Sequence, residues 1–389
     1  MTSALQAVHQ AIRDAAPYAL ADAVADALVA EAAARDVELL LVDYARSELR
    51  PVVPPGRARV RVDDGEAGRA FTSQQPRWEQ ARGVLHLPVT AHGERHGVLS
   101  VGLPDRPGPA AVRAFQEVAA ALVPALRGAD ALTDRYKRVR RAERLTIAAE
   151  MQWDLLPVAG HHGNGYRIAG QLEPAYAVHG DNFDWSCGPG SVTLSITNGS
   201  GEGLRAALLT TLAVTALRNA RRSGADLAEQ AGLADEAVYG RYGGLEHVST
   251  LLLHFDAATG RLSAVEAGSP RMVRLRGNDV SPVELDAQLP LGMFGNTAYT
   301  EQRLTLEPGD RLMIVSDGVY GASSAAHALF GDQVLDSVVR STRLQPADEA
   351  VRTVIRGMLA FREGVEVVDD AVVVCLDRTV HAEPEAPSA

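Results

Sequence analysis

The sequence predicts an α+β protein of two domains joined by a helix, and three observations carry that reading. The first 128 residues mix alanine-rich helical runs with short paired strands. Residues 129–157 form a charged stretch with no glycine or proline until Pro157. Beyond it, short apolar strands alternate with glycine turns, and a few long helical runs interrupt them. A chain of 389 residues, 46% of them apolar, is long enough for two ordinary cores.

Taken in order, residues 1–35 place Leu20, Val24 and Leu28 at helical spacing. The run VELLLVDYARSELRPV (37–52) reads as strand, polar turn and strand. GVLHLPVTAHGERHGVLSVGL (83–103) reads as a hairpin around HGERHG, and AAVRAFQEVAAALVPALRG (110–128) as a closing helix. Residues 129–157 read as one connecting helix, with Leu132, Tyr136 and Val139 on a stripe and Arg138, Arg140, Arg141 and Arg144 crowding the middle. Such a helix could pair with its copy in a homodimer. In the second domain, 158–380, strands are expected at YRIAGQL (166–172), DWSCG (184–188), SVTLSITN (191–198), STLLLHFD (249–256), DRLMIVSDG (310–318) and DDAVVVCLD (369–377). Two helices are expected, at 204–224 and 347–364, and 381–389 reads as a disordered tail.

Composition excludes several classes. A net charge of −11 disfavours nucleic acid and anionic membrane surfaces as partners. Arg13, Asp14, Asp22 and Asp26 interrupt every early apolar run, so neither a signal peptide nor a membrane span is expected, and the chain reads as cytoplasmic. Two cysteines, Cys187 and Cys375, cannot build a disulfide framework and read as core thiols. His9, His86, His92 and His96 read as surface or turn residues.

Acids gather at strand ends in the second domain. Asp181 follows AVHG, Asp317 sits in VSDG after an apolar strand, and Asp369 and Asp370 open the last strand. Rigid strands that end in carboxylates beside glycines suit hard cations, because oxygens are fixed and backbone carbonyls can approach. The glycine-rich turn ITNGSGEG (196–203) belongs to the same pattern but carries an amide, Asn198, and one acid, Glu202.

The order of these segments resembles two families. GEAGRAFTSQQP (65–76) and the 83–103 hairpin resemble a GAF sensory domain over residues 1–128, which implies a regulatory role, through a small ligand or through dimerisation alone. From Arg144 to Asp377 the chain resembles the SpoIIE/RsbU-type bacterial phosphatases of the PP2C-like PPM family. The matching motifs are AAEMQWDLLP (148–157), PAYAVHGDNFD (174–184), NGSGEGLRAA (198–207), AGSP (267–270), PLG (290–292), LEPGD (306–310), SDG (316–318) and the Asp369–Asp370 pair. That resemblance implies an α/β/β/α sandwich with two Mn²⁺ or Mg²⁺ ions at its edge, hydrolysing phosphoserine or phosphothreonine. It implies Asp181, Asp317 and Asp369 as metal ligands and Gly199 as a carbonyl ligand, with Asp184 and Asp370 as auxiliary acids. The implied substrate is a phosphorylated signalling protein, a STAS-type anti-sigma-factor antagonist in a partner-switching pathway.

Four positions depart from the family pattern. Asn198 stands where the family has its bridging aspartate, Glu202 where it has a histidine, and His179 and Ser269 also differ. An amide offers one neutral oxygen and cannot offset the repulsion between two cations. Glu202 could return a charge nearby. Two functions therefore stay open: a metal-dependent phosphatase under sensor control, and a pseudophosphatase that docks a partner without hydrolysing it.

Overall fold

The structure is a computed structural model that describes residues 2–173, 180–268, 270–362, 364 and 369–379. The segment holding His179, Ser269, and the tail 381–389 lie outside the described residues. The chain divides into two compact units, residues 1–144 and 145–389.

In the first unit, α1 (Thr2–Asp14) and α2 (Leu20–Glu31) lead into β1 (Asp36–Val42), β2 (Glu48–Val53) and β3 (Val60–Arg61). Then come α3 (Gly65–Ser73), β4 (Arg77–Glu79), β5 (Val84–Ala91), β6 (Glu94–Gly102), α4 (Pro109–Asp130) and α5 (Arg135–Arg140). The strands form one antiparallel sheet in the order β3-β2-β1-β6-β5-β4. Alternation along β1 sends Leu39 and Leu41 to the face covered by α1, α2 and α4, and Leu40 and Val42 to the face covered by α3. Helices on both faces of an antiparallel sheet are consistent with the GAF-like expectation. His86 and His96, expected at the surface or in turns, are both buried. The His86 Nδ1 pairs with the Ser100 hydroxyl at 2.8 Å and its Nε2 with Glu79 at 3.1 Å. His92 does sit in the hairpin turn, at φ 50°.

The expected single helix over 129–157 is instead broken. α4 ends at Asp130, α5 is a short separate helix, and α6 (Ile147–Leu155) begins only after an extended residue, Thr146. Tyr136 is buried and donates to the Pro17 carbonyl at 2.9 Å, and Arg140 donates to the Val42 carbonyl at 3.1 Å, so α5 belongs to the first unit. Thr146 accepts the Ala149 N–H and starts α6 independently. Four arginines within residues 138–144 repel one another in a continuous helix, and the backbone leaves the helix after Arg140 and bends at residues 142 and 143.

The second unit continues with β7 (Gly160–Gly163), β8 (Tyr166–Glu173), β9 (Asp181–Gly188), β10 (Ser191–Gly199), α7 (Gly203–Arg222) and α8 (Leu227–Tyr242). Then follow β11 (Val248–Asp256), β12 (Arg261–Ala267), β13 (Arg271–Arg276), β14 (Asp279–Val283), β15 (Gln302–Thr305) and β16 (Arg311–Val315). It ends with α9 (Asp317–Tyr320), α10 (Phe330–Gln333), α11 (Leu335–Ser341), α12 (Ala347–Phe361) and β17 (Ala371–Arg378). Two antiparallel sheets result, β15-β12-β11-β10-β9 and β14-β13-β16-β17-β8-β7. Phe183, Leu194, Leu253, Ile314 and Val374 face one another between the sheets. α7 and α8 cover the outside of the first sheet, and α10 to α12 that of the second. This is the expected four-layer α/β/β/α sandwich. Cys375 is buried as expected, but Cys187 is exposed near the end of β9, beside the turn into β10.

Candidate metal centre

One edge of the sandwich gathers the acids, and close backbone approaches build it. Gly180 adopts φ 134°, and a Cβ there would stand 2.7 Å from the Gly199 carbonyl oxygen. The Gly180 carbonyl accepts from Gly199 N at 3.3 Å and from the Thr210 hydroxyl at 2.7 Å, which seats the β10–α7 turn against the start of β9. Across the edge, a Cβ on Gly318 would collide with the Asp370 carbonyl oxygen at 1.7 Å. Only glycine lets the SDG turn touch the start of β17.

On that scaffold each expected residue has a definite place. Asp181 pairs directly with Asn198 across β9 and β10, so both side chains lie on the same inner face of the sheet. Asp181 is fully buried, and neither carboxyl oxygen has a hydrogen-bond donor in good geometry among the described residues. Burial holds this carboxyl well above the usual carboxylate range; Asp370 pushes it further up, the Ser316 hydroxyl partly offsets the rise, and Asp317 and Asp369 add to it. Asp317 accepts the Asn198 amide N–H at 2.6 Å and the Gly318 N–H at 3.1 Å. Asp369 accepts the Asp370 N–H at 2.8 Å. Asp370 is buried and accepts from Gly180 N at 2.8 Å and Asp181 N at 3.2 Å, which ties β17 to β9.

Two of the expected residues are not brought to this edge as acids. Asp184 lies three residues after Asp181 and so faces the other side of β9, toward α7. Arg218 binds it at 2.8 Å and Arg221 at 3.0 Å, which makes it an ion-pair anchor and corrects its auxiliary role. Glu202 is the exposed residue before α7, and it forms no cap hydrogen bond.

Sequence reasoning missed three supports. Ser316 accepts the Val372 N–H at 2.9 Å and lines Asp181. Gln152 on α6 accepts from Asn182, the neighbour of Asp181, at 2.9 Å, and both are fully buried. Glu246 accepts from the Ser200 hydroxyl at 3.0 Å and pairs with Arg205, bracing the glycine-rich turn. The Gln152 signal was present in the AAEMQWDLLP motif; Glu246 had none.

The acids meet around Asp181 without forming a preset cage. Among the described residues, no group of three or more His, Cys, Asp or Glu side chains stands close enough to hold a metal ion as placed. The electrostatics nonetheless fit a cation: a buried carboxyl, with no donor in good geometry among the described residues, sits amid three further acids, and positive charge would offset all of them.

A helix-covered double sheet with acids at one edge is the architecture of PP2C-like phosphatases. Residues 188–379, within the second unit, match the family model of stage II sporulation protein E (SpoIIE), and that span is a SpoIIE-type, PP2C-like phosphatase domain. The matched span includes Asn198, Asp317, Asp369 and Asp370. Solved structures support the fold. The RsbU and RsbW domains of a Mycobacterium tuberculosis protein align with a TM-score of 0.50 at 19% identity, covering 57% of this chain and 62% of that one. The phosphatase domain with a regulatory fragment of SpoIIE from Bacillus subtilis gives 0.51 at 20%, covering 57% and 64%. The SiaA PP2C domain of Pseudomonas aeruginosa gives 0.51 at 19%, covering 60% and 94%. The alignment thus spans less than two thirds of the first two structures. Among curated protein sequences, none matches the chain. No described helix is long and apolar enough to cross a membrane.

Proposed function

We propose that this chain is a metal-dependent phosphatase acting on phosphoserine or phosphothreonine in a signalling protein. The observation that supports it most is the Asp181 carboxyl, buried with no donor in good geometry among the described residues and set beside Asp317, Asp369 and Asp370. A group in that state destabilises a fold unless positive charge offsets it, and a site kept at that cost points to function. This reading assigns Asp181, Asp317, Asp369 and the Gly199 carbonyl as the groups that hold Mn²⁺ or Mg²⁺. A bound divalent cation would supply charge against the phosphoryl oxygens and make water a better nucleophile. The chain's own part is to fix the oxygens: Asp370 secures the backbone under Asp181, and Glu246 holds the turn that carries Gly199. The SpoIIE match favours a phosphoprotein substrate, and a STAS-type anti-sigma-factor antagonist in a partner-switching pathway is the partner this reading names. The first unit would act as a GAF-like sensor, through a small ligand or through pairing of two copies, in a cytoplasmic protein.

The test is release of phosphate from a phosphoserine peptide by the purified chain with Mn²⁺, compared with Asp317→Ala. Activity that needs Mn²⁺ and disappears in the variant is the expected result; activity indifferent to both sinks the reading. A second reading, a pseudophosphatase that only docks its partner, draws on one observation, the Asn198–Asp317 hydrogen bond. Metal-dependent hydrolysis of para-nitrophenyl phosphate by the wild-type chain would exclude it.

A further inference from the structure

The amide of Asn198, at the end of β10 in one sheet, and the carboxyl of Asp317, which opens α9 after β16 of the other sheet, meet at 2.6 Å. The amide nitrogen must face Asp317, because the opposite flip would set two oxygens against each other at that distance. Asn198 also stands directly opposite Asp181 on the neighbouring strand. One neutral donor therefore sits between the two strand-end acids, where it satisfies Asp317 with a charge-assisted hydrogen bond. Nothing comparable serves Asp181, whose oxygens have no donor in good geometry among the described residues. Glu202, the other acid of the turn, is exposed at the start of α7 and does not replace the missing charge.

We propose that this centre takes one divalent cation, not two, and that the Asn198 amide stands in for the second. The inference rests on the metal-dependent reading above. Two neighbouring cations repel, and a shared carboxylate between them is what offsets that repulsion. With an amide at that position, the charge at the centre is that of Asp181 and Asp317, with Asp369 and Asp370 acting on Asp181 from nearby. That is enough charge for one cation. The amide also competes with the cation for Asp317, so the site binds its ion more weakly than Asp317 alone would allow.

The experiment is a Mn²⁺ titration of the chelator-stripped full chain by calorimetry, with electron paramagnetic resonance reading the bound ion. One Mn²⁺ per chain and no spin coupling between ions is expected. Asn198→Asp should take up a second ion with a spin-coupled spectrum. Asn198→Ala, which removes the competing donor without adding charge, should keep one ion and bind it about tenfold tighter. Two ions on the wild-type chain would overturn this inference and leave the metal-dependent reading standing. No Mn²⁺ on the folded wild-type chain or on Asn198→Asp would overturn both. Weaker binding in Asn198→Ala would overturn the competition between amide and cation.

Discussion

Asp181 and Asp184 stand three apart on one strand, and that odd spacing sends their carboxyls to opposite faces. One looks into the acidic edge; the other is clamped by Arg218 and Arg221 under α7. Both were legible as acids in one motif, and the parity that separates their roles was legible too. The amide contact of Asn198 was not, because its partner Asp317 is 119 residues away in sequence. Three outcomes follow at this scale. Asp317→Ala and Asp369→Ala should each abolish Mn²⁺ binding, and parent-like titrations of both would remove these residues from the site. Asp184→Asn should leave Mn²⁺ binding intact but cost about 3 kcal/mol in denaturant unfolding, since two largely buried arginines lose their anion. Binding of Mn²⁺ should also release protons. Asp181 has its folded pKa raised from 3.8, so it keeps a proton further up the pH scale than an ordinary aspartate. That raised value adds stability to the metal-free chain at low pH, and the gain is lost as pH rises from 3.8 through the folded value. A cation must displace the proton, so Mn²⁺ affinity should climb with pH. Calorimetry in two buffers of different ionisation enthalpy reads this; heats that do not depend on the buffer would contradict it.

At the scale of elements, the strands were more legible than the helices. Alternating apolar runs such as SVTLSITN announce a half-buried strand, and β10 follows (Ser191–Gly199). Helix α8 was missed, although Asp226 and Glu229 form a capping box at its start. Its alanine- and glycine-rich surface hides the apolar stripe that would have announced it. Helix α6 is tied to β9 by a polar contact, Gln152 to Asn182, that no periodicity reveals. Gln152→Leu should destabilise the second unit by about 2 kcal/mol, because Asn182 loses its partner inside the core. The double variant Gln152→Leu, Asn182→Leu should recover part of that loss. If the two single changes are simply additive, the pair does not anchor α6.

At the scale of the whole molecule, the sequence separated two domains because texture changes at Pro157, yet the boundary falls earlier, between Arg144 and Leu145. The expected connecting helix failed for a physical reason: glycine and proline are not the only helix breakers. Crowded arginines oppose a continuous helix, Thr146 offers a cap for a new one, and α5 gains more by burying Tyr136 on its own unit. A two-residue insertion after Ala142 would turn a continuous helix by about 200°. In a segment outside any helix, such as residues 141–146, it only adds length, so both units should fold and bind as before. The sharper test is limited trypsin digestion. Glu143 and Arg144 are exposed and lie outside any helix or strand, whereas Arg140 is held to the Val42 carbonyl and over the Tyr44 ring. Loss of a few backbone contacts exposes the first bond; cleaving the second requires α5 to leave its unit. Early cleavage should therefore fall after Arg144 and yield residues 1–144 and 145–389. Each fragment keeps its own buried cores and should unfold cooperatively, and the larger should retain the Mn²⁺ affinity of the full chain. First cuts scattered within either unit, or a larger fragment that no longer binds Mn²⁺, would mean that the cores depend on each other across the boundary.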